Sequence, residues 1–323
     1  LNNNLNGKRT PLKWEHVSEN KFSNKIIWES LNSTEILNNN FEEKALSNLK
    51  NNLNIKSIGR SVTVNSIAYP EISNYVPNAF VNDSNKKFTL SLRGISKVRN
   101  CGGNNIFSNC NDGILDIDYN FINYENFSFN TKITIQSLSN RRNGTKLGEA
   151  SSLGFKAAKY FSPKLSIALG GENIIHFDSK SDLGRNFYLI ASTFYSLNKK
   201  KDPSVLFLNA GIGSDFYGYK GNGYLAKTKC FGTPNLTGEG ENFCSWGPIA
   251  SLALTLNSRF AFINEWFGYG YGTGIAVRPF KDKPISLSLY ATDFINNFPK
   301  YIQDGCPNNN CSARLYGSLS FSF

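Results

Sequence analysis

The stretch Ser312-Ala-Arg-Leu-Tyr-Gly-Ser-Leu-Ser-Phe-Ser-Phe323 decides how the rest of the sequence is read. On an extended backbone, Leu315, Leu319, Phe321 and Phe323 point one way, and Arg314, Tyr316, Ser318, Ser320 and Ser322 point the other. Residues 127–138 repeat the pattern: Phe127, Phe129, Ile133 and Ile135 oppose Ser128, Asn130, Lys132, Thr134 and Gln136. In 284–294, Ile285, Leu287 and Leu289 oppose Ser286, Ser288 and Tyr290. Period-two alternation of this kind belongs to a sheet with one oily and one wet face.

Outward from these stretches, twelve segments of similar character run from residue 86 to the end: 86–98, 113–124, 127–139, 150–161, 164–177, 185–197, 204–217, 247–257, 260–269, 272–280, 284–294 and 312–323. Their lengths suit tilted membrane strands, which need ~9–11 residues. No stretch approaches the ~20 apolar residues of a membrane helix, and a closed barrel is the other way to satisfy every backbone polar group in a bilayer. The connections agree. Those at 125–126, 162–163, 198–203, 258–259 and 281–283 are short, whereas those at 99–112, 140–149, 178–184, 218–246 and 295–311 are long, and 270–271 is the exception. Long loops on one side and short turns on the other mark outer-membrane barrels. The predicted fold is all-β: a transmembrane, antiparallel, up-and-down barrel of about 12 strands over 86–323. A soluble lipocalin-like barrel, its apolar faces turned inward, is the alternative.

Residues 1–85 form an N-terminal extension outside the ladder. Residues 1–40 are Asn-rich and partly disordered by composition. In 40–53, Phe41, Ala45, Leu49 and Leu53 recur at helical spacing behind an Asn40 cap, which predicts a short helix. Residues 54–85, with Val62, Val64, Ile67, Pro70 and Pro77, read as irregular with one short strand, either plugging the barrel mouth or lying in the periplasm. The sequence has no Met and no basic, apolar leader at its start, so removal of a secretory signal is expected.

Six cysteines fall as three short-range pairs: Cys101 with Cys110, Cys230 with Cys244, and Cys306 with Cys311. Each pair sits in a long polar connection, and none has CxxC spacing. Three loop-stiffening disulfides outside the cytosol are expected, with no metal and no cofactor. Net charge is +11, but the bases are dispersed and the one dense run, Lys199–Lys201, reads as a solvated turn; no nucleic-acid partner is expected.

A terminal amphipathic strand ending in Phe323 resembles the C-terminal signature of Gram-negative outer-membrane proteins. That resemblance implies recognition of Phe323 by the barrel-assembly machinery, an outer-membrane location, and outer-membrane lipids and lipopolysaccharide as surroundings. The Asn, Lys and Ile usage, with DFYGYKGNG (215–223) and WGPIASLALTLN (246–257), is similar to uncharacterised outer-membrane proteins of marine cyanobacteria. The chain does not resemble large cyanobacterial porins, which carry an N-terminal surface-layer-like domain.

Alternation assigns to the lumen the charged residues Arg93, Lys97, Asp116, Asp118, Lys132, Lys156, Glu172, Asp215, Glu265, Arg278 and Arg314. Two readings follow: a passive channel for small polar solutes, or a non-conducting surface barrel stiffened inside and acting in adhesion, phage reception or envelope integrity. Twelve-stranded enzymes also occur in this membrane, a phospholipase and the omptin proteases among them. Here His176-Phe-Asp178-Ser179 at a strand's outer end is the only candidate, and it matches neither motif, so no enzyme is expected. Gly268-Tyr-Gly-Tyr-Gly-Thr-Gly274 lacks the helix and Lys of a phosphate loop and reads as an outer hairpin. Trp246, Trp266, Phe267, Tyr269 and Tyr271 then form an aromatic girdle. The loop 218–246, with Tyr217, Tyr219 and Tyr224 beside Lys220, Lys227 and Lys229, is either solvated or a binder of acidic sugars and phosphates.

Overall fold

In the computed structural model, the described residues are 53–97, 111–136, 138, 148–178, 185–214, 217, 226–229, 243–268, 270–294 and 313–323. The helix expected over 40–53 lies outside them, Leu53 excepted. So do Cys101, Cys110, Cys230, Cys306 and Cys311, and of Cys244 the backbone alone is described. The three expected disulfides, Cys101 with Cys110, Cys230 with Cys244 and Cys306 with Cys311, therefore fall outside the described side chains. Within the extension, where one short strand was expected, three are found: β1 (Ile55–Ile58), β2 (Ser61–Val64) and β3 (Ile67–Glu71). They pair antiparallel in that order. Asn65 and Ser66, at φ 50° and 66°, make the two-residue turn whose twist matches a hairpin. Pro70 cannot donate to a ladder, and it sits in β3, an outer strand of this small sheet.

The long ladder follows: β4 (Phe88–Ile95), β5 (Asp112–Asn123), β6 (Phe127–Ile135), β7 (Ser151–Ser162), β8 (Leu165–His176), β9 (Asn186–Ser196), β10 (Val205–Ser214), β11 (Ala226–Lys229), β12 (Phe243–Asn257), β13 (Phe260–Phe267), β14 (Gly270–Val277), β15 (Ile285–Thr292) and β16 (Arg314–Ser322). Each expected segment holds one of these strands. β16 returns to pair with β4, and β10 pairs with β12, so twelve of the described strands close on themselves. The remaining strand, β11, is a short extension paired only to the far end of β12. The connection expected over 218–246 is corrected here, because β11 and the first residues of β12 lie within it. Cys244 thus stands on a strand, opposite Thr228, rather than in a loop. Alternation marks the part of a strand whose two faces meet different media, and backbone pairing continues past it.

Register makes the two faces explicit. Leu287, Leu319, Leu92, Leu115 and Ile135 are successive cross-strand partners from β15 through β16 and β4 to β6. One residue along, Ser286, Ser320, Ser91, Asp116 and Thr134 form the parallel row. The second row is buried, while Leu92 and Leu287 are 44% and 40% exposed. Leu169, Leu189, Leu252 and Phe262 continue the outer band around the barrel. Phe129, Ile133, Leu287 and Leu319 thus face outward, opposite to what a soluble barrel with an oily interior requires. An exposed apolar band of this extent is unfavourable in water and favourable against hydrocarbon, so the fold fits a membrane-embedded barrel.

The interior is filled by residues 53–87. Ile55, Val62, Val64, Tyr69, Ile72, Val76, Phe80 and Val81 are at most 2% exposed, each in contact with the inward face of the wall or with one another. Ser57 N–H donates to Val81 O, and Asp83 N–H to Ser57 O, so the segment after β3 folds back beside β1. Phe80 packs against Phe194 and Phe207, with ring centroids 6.3 and 5.9 Å away. Burying each such ring contributes about 1.5–3 kcal/mol.

Candidate functional site

The wall facing the inserted segment has two chemistries. From β9 to β14 its inward residues are largely apolar: Ile190, Phe194, Phe207, Ile249, Ala253, Ala261, Ile263 and Ala276. Apolar side chains on both faces of these strands, outer Leu189 and Leu252 against inner Ile190 and Ala253, mean that each strand is covered twice. The outer cover is the environment, and the inner one is residues 53–87. From β4 to β8 the inward residues are largely polar and charged, with Ala158 and Ala168 as small apolar exceptions.

Glycines shape the apolar half. Gly272 and Gly274 face inward beside Tyr290, and a Cβ at Gly272 would come within 2.2 Å of the Tyr290 hydroxyl. The GYGYGTG stretch is therefore a socket for rings on the inner wall as well as part of a hairpin. Phe267, expected in an interfacial girdle, is instead fully buried, 4.6 Å from the Tyr75 ring. Alternation explains the correction: Phe267 shares the inner face with Glu265, while Trp266 takes the outer one. Tyr75 also meets Tyr290 and Tyr316 at 5.8 and 5.3 Å, forming an aromatic knob at the centre of the lumen. Tyr217, expected beside a solvated loop, turns inward and is 1% exposed. Its hydroxyl lies 3.1 Å from Tyr75 O and 2.9 Å from Glu172 Oε2.

Two carboxylates anchor the inserted segment. Glu265 on β13, 1% exposed, accepts the backbone N–H groups of Asn74, Tyr75 and Val76 at 2.8, 2.9 and 3.2 Å. Three consecutive N–H groups converging on one side chain form an anion cradle, and the sequence between β3 and Pro77 supplies it. Glu71, at the end of β3, accepts the Ser318 and Ser320 hydroxyls at 2.7 and 2.5 Å, with Arg60 Nε 3.7 Å away. Further ties are Ala79 N–H to Ser192 Oγ and Asn82 N–H to Ser128 Oγ, at 2.7 and 3.0 Å. Tyr69 reaches the short-turn end, its hydroxyl 2.9 Å from Asp202 and 2.7 Å from Pro203 O. Burial, reinforced by the Asp202 carboxylate, pushes that hydroxyl far above the usual tyrosine range, so it stays a donor.

The charged residues assigned to the lumen separate into three groups. Arg93, Asp116, Asp118, Lys132, Lys156 and Glu172 gather on β4–β8 around a cavity of ≈ 110 Å³ between wall and inserted segment. Arg93 pairs with Asp116 at 2.6 Å and Lys132 with Glu172 at 2.5 Å. Arg314 lies at the long-loop end, 2.5 Å from Asp293, with Lys97 buried nearby. Arg278 lies at the short-turn end, where its guanidinium donates to Ala68 O, Ser258 O, Lys281 O and Lys283 O. Glu265 stands apart as the anchor already described. Asp215 is outside the described residues.

Sequence reasoning missed Arg60, Glu71 and Asp293 as partners, since the extension and a strand end gave no alternation to place them. His176 ends β8 with its Nε2 buried and without a hydrogen-bond partner. The Asp178 carboxylate accepts Ala150 N–H at 2.8 Å and Ser151 N–H at 3.4 Å. Ser179 lies outside the described residues. Compared with known families and curated proteins, the chain matches no family model and no curated sequence.

Proposed function

We propose that the protein is a channel of the outer membrane for small polar solutes, held shut in this state by its own residues 53–87. The observation that carries this reading is the grip of Glu265 on three successive N–H groups of the inserted segment, in a lumen whose apolar half that segment covers. Twelve strands enclose a space between that of a filled eight-stranded barrel and that of a sixteen-stranded porin. The inserted segment packs into it, and the cavity of ≈ 110 Å³ lies between segment and wall. An ungated wide pore is therefore disfavoured. The apolar packing of Phe80, Val62 and Ile72 supports the rival reading, a permanently closed surface barrel.

The outer-membrane assignment is supported by the exposed apolar band and by the final strand. Phe323 is 63% exposed, and its backbone is tied into the ladder through Phe88 O, which leaves its ring available to assembly machinery at the short-turn rim. Lipids and lipopolysaccharide are its proposed surroundings, and no catalytic role is proposed. Planar-bilayer recording of the refolded full chain tests the channel reading. The expected result is a silent wild type, with discrete openings when Glu265 is replaced by Ala. A steady wide conductance in wild type excludes closure by residues 53–87. Silence of both proteins, with the segment shown to be released, excludes the channel.

A further inference from the structure

The cavity beside β5–β7 has a charge arrangement that closing the barrel does not require. Around it, Arg93 and Asp116 pair with each other, as do Lys132 and Glu172. Asp118 and Lys156 do not: among the described residues neither has an opposite charge within 4.0 Å. Asp118 receives one long hydrogen bond, from Asn130 Nδ2 at 3.5 Å. Lys156, 8% exposed, has only Ser57 Oγ at 3.4 Å and Asn78 O at 3.5 Å. Asn130 is the cross-strand partner of Lys156 and the donor to Asp118, so one side chain separates the two charges along the wall.

Other groups around the same cavity are also unfilled. Asn74 is 5% exposed, and neither its Oδ1 nor its Nδ2 has a hydrogen-bond partner; Oδ1 of Asn78 and of Asn130 are likewise unmatched. Buried polar atoms without partners are rare in native proteins and call for an occupant. Waters satisfy such atoms; an acid and a base set apart around the same cavity in addition offer one partner for each end of a doubly charged occupant. A cavity of this size takes about five or six non-hydrogen atoms, on the scale of a cavity of ~150 Å³ that accepts benzene. Lys132 and Glu172, each 23% exposed, stand at its edge.

We infer that this cavity binds a small zwitterion of about glycine or β-alanine size, its ammonium held by Asp118 and its carboxylate by Lys156, with Asn74, Asn78 and Asn130 bonding between them. The site belongs to the closed barrel and does not depend on conduction, so binding and recording fail independently.

The test is equilibrium binding of β-alanine to the refolded full chain in detergent micelles, by titration calorimetry. Propionate, propylamine and ethylene glycol are the comparison probes. Saturable β-alanine binding is expected, with each comparison probe at least about tenfold weaker, because each lacks one charge or both. Asp118→Asn and Lys156→Gln are each expected to weaken β-alanine about tenfold or more, and Asp118→Asn to narrow its advantage over propionate. The four probes on the unaltered chain decide the matter even if a variant fails to fold. Absence of β-alanine binding, equal binding of propionate, or indifference of folded variants to both substitutions overturns the proposal.

Discussion

Replacing Glu265 by Ala is the perturbation that most sharply separates a held segment from one that merely fills space. In the wild type the carboxylate is buried and accepts three N–H groups within 3.2 Å. Hydrogen bonds to a charged group contribute about 1.5–3 kcal/mol each, and the buried charge itself costs several kcal/mol to desolvate, so the terms partly cancel. Removing the acceptor alone leaves Asn74, Tyr75 and Val76 N–H without partners in a closed space, and buried donors left unsatisfied cost about 1–3 kcal/mol each, so the three together cost about 3 kcal/mol or more. Water entering the vacated volume brings the figure toward the lower end. At about 1.4 kcal/mol per factor of ten, the released fraction of the segment rises roughly 10²- to 10³-fold. Hydrogen exchange read by mass spectrometry on peptides spanning 72–80, in micelles, measures this directly. Those amides are expected to exchange at least about a hundredfold faster in Glu265→Ala while β6–β8 amides keep wild-type protection. Glu265→Gln retains one acceptor oxygen and falls between. Unchanged exchange at 74–76 in a folded Ala variant refutes the latch, and accelerated exchange throughout the barrel shows that Glu265 supports the wall instead.

Other substitutions have expected outcomes of their own. Glu71→Ala loses two serine hydroxyl donors but strands no backbone group, so it is expected to weaken docking by about 1–2 kcal/mol, read by the same exchange as a smaller acceleration over 67–76. Gly272→Ala drives a methyl group into the Tyr290 ring and is expected to cost about 1–3 kcal/mol in urea unfolding from micelles; no shift would mean the ring moves freely. Leu287→Arg is expected to destabilise folding into lipid vesicles by about 2–4 kcal/mol if that position lies near the bilayer midplane, whereas a soluble barrel would tolerate arginine at a 40%-exposed site.

The barrel was legible because strands whose two faces meet different surroundings carry a redundant signal. The serines of 312–323 and 284–294 alternate with leucines and phenylalanines, and shifting either strand by one residue would turn every side chain to the wrong medium. The interior was half legible. On β4–β8 the charged residues stand on the inner face as alternation requires. On β9 and β10, sequences such as Asn186–Ser196 are apolar on both faces, and a period-two reading does not say what covers the inner face. That double apolarity was itself the trace of the inserted segment. Glu265 was assigned to the lumen but not to its task, because its partners are backbone N–H groups, which any sequence provides.

In the proposed arrangement, oily residues face hydrocarbon around a lumen closed by residues 53–87. Spin labels in vesicles, at Leu189 and Leu287 for the outer face and at Ala79 for the inserted segment, test it most directly, in a chain whose six cysteines are replaced by serine. Expected are high access of the outer labels to lipid-soluble oxygen, little access to a water-soluble nickel chelate, and an immobilised label at Ala79 reached poorly by both. Outer labels open to the chelate, or an Ala79 label freely mobile in water, would contradict it.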